Sequence, residues 1–169
     1  MGAGLGLFRD AMLRLGLEHD YAAVETDRAQ FAALRARLGE GAAFADLAVL
    51  PSARKFDLIV LAHVLEHVSR PHEFIAALAA RLKPGGILFV EVPNGDYRYK
   101  ANFETHLLFF DAASLGSLLG RHGKLLDVSS VGKLAAQLNI TQVHPERSLL
   151  RPLKELVKTA IAVTTRDFD

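Results

Sequence analysis

Short apolar runs alternate along the chain with longer segments of helical period, which is the pattern of a sheet whose strands are connected by helices. The runs are almost continuously apolar, as in parallel strands that are covered on both faces. They predict strands at residues 21–24, 43–44, 56–61 and 87–92. The helical segments predict helices at 7–15, 28–38 and 71–82 and a fourth through residue 119, with Asp27 and Asp111 as N-caps.

The C-terminal part of the chain combines two patterns. Residues 125–131 and 137–143 alternate in polarity and predict two further strands. Residues 147–163 place apolar side chains on a helical stripe interleaved with basic residues, which predicts an amphipathic helix that docks on protein or lies on an anionic membrane surface. We therefore expect a domain at 1–145 and a C-terminal amphipathic helix and tail at 146–169.

Composition narrows the class of protein. A chain of 169 residues suits one domain. Its 20 Lys and Arg are nearly balanced by 19 Asp and Glu, so it lacks the strong positive charge that is typical of a nucleic-acid binder. The absence of cysteine excludes disulfides and fits a reducing compartment. No apolar run reaches the ~18 residues of a membrane span, and no basic-then-apolar leader is present. We expect a cytoplasmic protein with no integral membrane segment.

The first residues carry the most informative motif. Gly2-Ala3-Gly4-Leu5-Gly6 opens directly into the first predicted helix, and Glu25 closes the first apolar run. Alternating glycines let the backbone turn tightly beside a ligand, and a carboxylate at the end of the next strand can accept both ribose hydroxyls. A dinucleotide fingerprint would need glycine at position 7, where Leu7 stands, so the pattern favours an adenosyl ligand without phosphates.

Two later segments extend this interpretation, FDLIV…LEHV at 56–68 and LKPGG…VPN at 82–94. With the glycine loop they resemble the class I S-adenosylmethionine-dependent methyltransferases, especially the small-molecule group, over residues 2–131. The resemblance implies a Rossmann-like α/β fold, a three-layer α/β/α sandwich with a mostly parallel sheet and a C-terminal antiparallel hairpin made by 125–131 and 137–143. It also implies S-adenosylmethionine as cofactor and a small organic acceptor.

The same resemblance assigns site residues. It places Gly2, Ala3, Gly4 and Gly6 beneath the methionine part of the cofactor, Glu25 on the ribose, Asp46 near the adenine amino group, and Ala62 and His63 beside the cofactor. Each position has a structural alternative, a plain turn for the glycines and a helix cap for Asp46. For a hydroxyl acceptor His63 or His106 is the candidate base, although a structural histidine explains either residue. O-, N- and C-methylation all stay open.

The start of the sequence is unusual for this family. Its glycine loop normally follows a buried central strand, and here Met1 stands in that place. Loss of that strand would leave two neighbours with unpaired backbone groups, each costing about 1–3 kcal/mol if buried. We expect that the sequence is a fragment or has a start site assigned too late, with a rearranged sheet as the alternative.

Two rival functions stay open. His63-x-x-Glu66-His67 is also the signature of inverted zinc peptidases, but that motif needs a helix presenting both imidazoles, and Ser69-Arg70-Pro71 leaves only about one turn. We therefore assign no metal ligand. The second rival is a methyltransferase-like domain that has lost activity and serves as a binding scaffold.

Overall fold

The computed structural model describes residues 1–17, 20–95, 106–131 and 158–164. The chain divides into two compact units, Met1–Lys55 and Phe56–Asp169. Each unit contains helices and parallel strands, so the predicted α/β class is confirmed.

The first unit contains α1 (Leu7–Arg14), β1 (Ala23–Val24), α2 (Arg28–Leu38), β2 (Ala43–Phe44) and a 3₁₀ turn at Leu47–Val49. β1 and β2 pair in parallel, with Ala23 opposite Ala43. The buried core of this unit brings α2 onto the strands through Ala23, Leu34 and Ala43. The short side chains of the two alanines allow the helix to lie close to the strand pair.

α2 begins and ends where the sequence predicts. The Asp27 side chain accepts a hydrogen bond from the backbone N–H of Gln30 at 2.8 Å, which satisfies one of the unpaired amides of the first turn. Gly39 follows the last helical residue with φ of 85°, a conformation that favours glycine. The completely buried Leu34 is the contact of this helix with the core.

The second unit contains β3 (Phe56–Ala62), a 3₁₀ turn at Leu65–His67, α3 (Pro71–Ala79), β4 (Leu82–Pro93), α4 (Ala112–Gly120), β5 (Lys124–Val131) and β6 (Lys158–Thr164). The sheet order is β3-β4-β6-β5, with β3 parallel to β4 and β6 antiparallel to both of its neighbours. Its core consists of buried aliphatic side chains from the sheet, the 3₁₀ turn and the two helices, among them Leu61, Leu65, Ile75, Leu88, Val90, Leu115 and Leu119.

The C-terminal prediction was wrong for residues 158–163, which form strand β6 and not a helix. Thr159, Ile161 and Val163 are β-branched, and pairing with β4 and β5 satisfies the backbone on both sides. β6 pairs antiparallel with β5, whereas the predicted partner of β5 was the strand at 137–143. Residues 137–143 and 147–157 lie outside the described residues, and the division at residue 145 stays a prediction. No described helix is long and apolar enough to span a bilayer.

Candidate functional site

The glycine loop of the first unit is tied to the end of β1. The backbone N–H of Ala3 donates to the Val24 carbonyl at 3.1 Å, and the N–H of Gly6 donates to the Ala3 carbonyl at 2.8 Å. Gly2, Gly4 and Gly6 all have positive φ values, of 63°, 51° and 81°. A methyl group on Gly6 would also lie 3.1 Å from Leu34 Cδ1, so glycine permits both the turn and the approach of the loop to α2.

Glu25 is buried directly after β1, and its side chain holds the glycine loop. One carboxylate oxygen accepts the N–H of Gly4 at 2.7 Å, and the other accepts the N–H of Asp27 at 2.9 Å. The N–H of Glu25 itself donates to the Phe44 carbonyl at 3.0 Å, which fixes the backbone. Each carboxylate oxygen keeps a further lone pair. The structure thus brings Gly4 and Glu25 into direct contact. Recognition of the ribose hydroxyls by this carboxylate stays a prediction.

Asp46 follows β2 and caps the 3₁₀ turn at Leu47–Val49. Its Oδ1 accepts the N–H of Ala48 at 2.7 Å. This is the structural alternative that the sequence left open for Asp46. The contact of Asp46 with an adenine amino group stays a prediction, as do the cofactor contacts of Ala62 and His63, which belong to the second unit.

His63 follows β3 in the second unit and is clamped by two carboxylates. Its backbone is left-handed, with φ of 54°, an uncommon conformation for a residue other than glycine. Nδ1 lies 3.2 Å from Glu66 Oε1, Nε2 lies 3.5 Å from Glu91 Oε1, and the backbone N–H donates to the Glu91 carbonyl at 3.0 Å. Because Glu66 and Glu91 face the two ring nitrogens, the ring is held in place. The role of His63 as a base stays a prediction.

The 3₁₀ turn at Leu65–His67 contains a buried carboxylate. Glu66 is only 1% exposed, and among the described residues its Oε2 has no hydrogen-bond partner. The backbone carbonyl of Glu66 accepts the N–H groups of Leu107 and Leu108 at 2.9 and 3.0 Å. These two bonds bring the segment that begins at His106 against the turn.

His106 therefore meets His67. The two imidazole rings are 4.9 Å apart between centroids in an edge-to-face arrangement, and Phe109 packs edge-on against His106 at 6.2 Å. Glu66, His67 and His106 each offer a possible metal-ligand atom, and these atoms lie within 4.8 Å of one another. His63 is not a member of this cluster.

The zinc-peptidase arrangement is absent from the described turn. The motif needs two imidazoles one turn apart on a helix, but Leu65–His67 is a single 3₁₀ turn that begins after His63. Sequence reasoning missed the grouping of His67 with His106 and the burial of Glu66. The apolar neighbours Leu65 and Val68 were the available signal that Glu66 lies in a buried turn.

The described elements define an α/β protein with a glycine loop anchored by an acidic residue at a strand end, the arrangement of nucleoside-binding proteins. The family model described as a methyltransferase domain matches residues 1–143, and the chain belongs to this family.

Individual proteins are similar over parts of their length. A ubiquinone biosynthesis O-methyltransferase of Caulobacter vibrioides is 33% identical over 99 residues, which are 56% of this chain and 39% of that protein. The chain thus matches about two fifths of the length of this relative.

Two solved structures support the fold. The methyltransferase in complex with the Trm112 methyltransferase activator of Haloferax volcanii has a TM-score of 0.75 at 13% identity, over 98% of this chain and 80% of that one. The 1,6-didemethyltoxoflavin-N1-methyltransferase of Burkholderia thailandensis, solved with bound 1,6-didemethyltoxoflavin and S-adenosylhomocysteine, has a TM-score of 0.67 at 23% identity, over 98% of this chain and 69% of that one. The predicted Rossmann-like fold is confirmed by these likenesses.

Proposed function

We propose that this protein binds S-adenosylmethionine and transfers its methyl group to an oxygen atom of a small organic acceptor. The observation that carries the proposal is the buried Glu25 carboxylate, held by the amides of Gly4 and Asp27 at the edge of the glycine loop.

The residues of the loop suit a nucleoside that carries no phosphate. Gly2, Ala3, Gly4 and Gly6 present backbone without bulky side chains, and Glu25 supplies two fixed acceptors for the 2′- and 3′-hydroxyls of a ribose. Asp46, at the end of β2, is the proposed partner of the adenine amino group. S-adenosylmethionine supplies an already activated methyl group, so the work of the protein is to position the acceptor and exclude water.

Oxygen is the proposed methyl acceptor because the Caulobacter vibrioides relative is named an O-methyltransferase. A hydroxyl acceptor must lose its proton during transfer. His63 is a positioning residue in this proposal, since Glu66 and Glu91 face its two ring nitrogens. His106 is the candidate base that accepts this proton.

The proposed transfer to oxygen is tested by chemical analysis of the product after incubation with methyl-labelled cofactor and matched phenols and amines. Methylated phenols are expected, and methylation of the amines alone would refute it.

The cofactor site is tested by Glu25→Ala. Two hydrogen bonds to a charged acceptor are worth about 1.5–3 kcal/mol each, so the dissociation constant of S-adenosylhomocysteine should rise by at least about tenfold. Titration calorimetry measures it. Glu40→Ala is the matched control, because Glu40 is an exposed carboxylate in the same unit that pairs only with Arg35 among the described residues.

Glu25→Ala also removes the anchor of the glycine loop, so Glu25→Gln is measured beside it. The amide keeps the shape and one acceptor, and its dissociation constant should lie between those of the wild type and Glu25→Ala. Unchanged affinity in both variants would remove Glu25 from the site. A folded wild-type protein that binds neither S-adenosylmethionine nor S-adenosylhomocysteine would instead support the inactive scaffold.

A further inference from the structure

We propose that Glu66, His67 and His106 together bind a divalent transition-metal ion of the zinc class. The three side chains come from the 3₁₀ turn at Leu65–His67 and from the segment that follows the undescribed residues 96–105. The inference goes beyond the proposed methyl transfer, because metal binding at this cluster can be measured without cofactor or acceptor.

The geometry is close to that of an occupied site. Zinc bonds to imidazole nitrogen of ~2.1 Å in a tetrahedral arrangement separate neighbouring ligand atoms by roughly 3.3 Å. The ligand atoms of Glu66, His67 and His106 already lie within 4.8 Å of one another. His67 is exposed and His106 is half-buried, so side-chain rotation can close the remaining gap without displacing the core.

The backbone prepares this arrangement. The carbonyl of Glu66 accepts the N–H groups of both Leu107 and Leu108, at 2.9 and 3.0 Å. The two chain segments that carry the cluster are therefore hydrogen-bonded to each other. Leu65, which is completely buried, anchors the turn on the core. A site in which the backbone already brings the ligands together loses less conformational entropy on binding the ion.

The buried carboxylate is an independent observation that points to a cation. Glu66 is 1% exposed, and its Oε2 has no partner among the described residues. An unsatisfied buried acceptor is costly, and that cost disappears if the carboxylate binds a positive ion. The imidazole of His63 holds Glu66 Oε1 at 3.2 Å, as hydrogen-bonded partners orient the carboxylate ligands of metal sites.

Two imidazoles and one carboxylate select the kind of ion. Imidazole nitrogen suits zinc and its transition-metal neighbours, whereas magnesium prefers oxygen ligands and keeps its water. Three protein ligands leave a fourth position of a tetrahedral ion for water or for an acceptor oxygen. If methyl transfer is confirmed, His106 would act as a ligand, and the ion would take over from a base in stabilising the negative charge on that oxygen.

The experiment uses the full chain freed of any affinity tag and stripped with a chelator. Calorimetric titration with zinc chloride is expected to show one zinc ion per chain, and magnesium chloride is expected to show no comparable binding. His67→Ala and His106→Ala should each raise the zinc dissociation constant by at least about tenfold, because losing a ligand costs no less than losing an outer-shell partner. His72→Ala is the matched control, since His72 pairs with His122 outside the cluster.

Three results would overturn the proposal. The wild type could fail to bind zinc, zinc affinity could be lost in His72→Ala and kept in His106→Ala, or the affinity could be the same in all variants. Glu66→Gln keeps the shape of the buried side chain and should also weaken zinc binding, with folding checked by circular dichroism. Titration with S-adenosylhomocysteine is performed separately on the same samples, so failure of the metal site and failure of the cofactor site give different results.

Discussion

The two units of the chain hold their buried carboxylates in opposite ways. In the first unit, both oxygens of Glu25 accept backbone amides, those of Gly4 and Asp27. In the second unit, one oxygen of Glu66 faces the imidazole of His63, and the other has no partner among the described residues. Both side chains are more than nine-tenths buried, so the difference lies in their partners and not in their exposure.

This difference separates two kinds of site. A carboxylate held by backbone amides has a fixed shape and belongs to the fold, so it can offer its remaining lone pairs to a ligand without moving. A buried carboxylate with an unsatisfied oxygen lowers stability until a positive group arrives. The first arrangement suits hydroxyl recognition, and the second suits a cation.

The largest effect that we predict comes from comparing one glycine of each unit, Gly86 in the second and Gly6 in the first. A methyl group on Gly86, in β4 of the second unit, would lie 2.9 Å from the Lys83 carbonyl oxygen and 3.0 Å from that of Phe56. Gly86→Ala should therefore lower the free energy of unfolding by about 3 kcal/mol, since backbone must move. Gly6→Ala should cost only about 1–2 kcal/mol, because the added methyl group meets the end of a side chain, Leu34, and not backbone, and the strain comes mainly from the positive φ.

Urea denaturation measures both glycine variants. Gly16→Ala is the control for Gly6→Ala, because Gly16 has φ of 72° but nothing within 4 Å of the added methyl group. A loss at Gly6 no greater than at Gly16 would show that the contact with Leu34 adds nothing. Equal losses at Gly6 and Gly86 would contradict the distinction between side-chain and backbone contacts.

The next prediction tests the two carboxylates directly. Glu25→Gln should lower the free energy of unfolding by about 1–2 kcal/mol, because its amide group cannot accept one of the two backbone N–H bonds. Glu66→Gln in chelator should raise it by about 1 kcal/mol, since a neutral amide costs less to bury than an unsatisfied carboxylate. Chemical denaturation without added metal gives both values. If both substitutions changed the free energy of unfolding in the same direction, the proposed difference between the two carboxylates would be contradicted.

The smallest predicted effect compares the helix caps of the two units. Asp27→Ala removes one bond, from the N–H of Gln30, and should cost about 1 kcal/mol. Asp111 forms a reciprocal capping box with Ser114, in which each side chain accepts the backbone N–H of the other residue, at 2.8 and 3.0 Å. Asp111→Ala breaks this box and should cost somewhat more. Thermal unfolding followed by circular dichroism shows which variant loses more stability. A larger loss of stability in Asp27→Ala than in Asp111→Ala would contradict the prediction.

Features that depend on local sequence were predicted well. α2 occupies residues 28–38 behind the cap Asp27, and α4 follows the cap Asp111, because capping and helical period are properties of a few neighbouring residues. The apolar runs of β1 to β4 were recognised for the same reason. The sequence reasoning assigned the glycine loop and Glu25 to one ligand without predicting a contact between them, and the structure adds a hydrogen bond from Gly4 to Glu25.

Features that depend on distant partners were missed. The apolar positions at 147–163 fit a helical stripe, and only the hydrogen bonds of β6 to β4 and β5 show that 158–164 form a strand. The approach of His106 to His67 depends on the amides of Leu107 and Leu108, which no periodicity reveals. The ligand contacts assigned to the glycines, Glu25, Asp46, Ala62 and His63 stay predictions.

The position of β6 has a consequence for biosynthesis. β6 lies between β4 and β5, although the ribosome makes it after both. Until Lys158–Thr164 leaves the exit tunnel, the facing edges of β4 and β5 have no strand between them, and exposed edges can recruit strands from neighbouring nascent chains. The emergence of β6 from the ribosome therefore decides whether this sheet closes within one molecule or joins another.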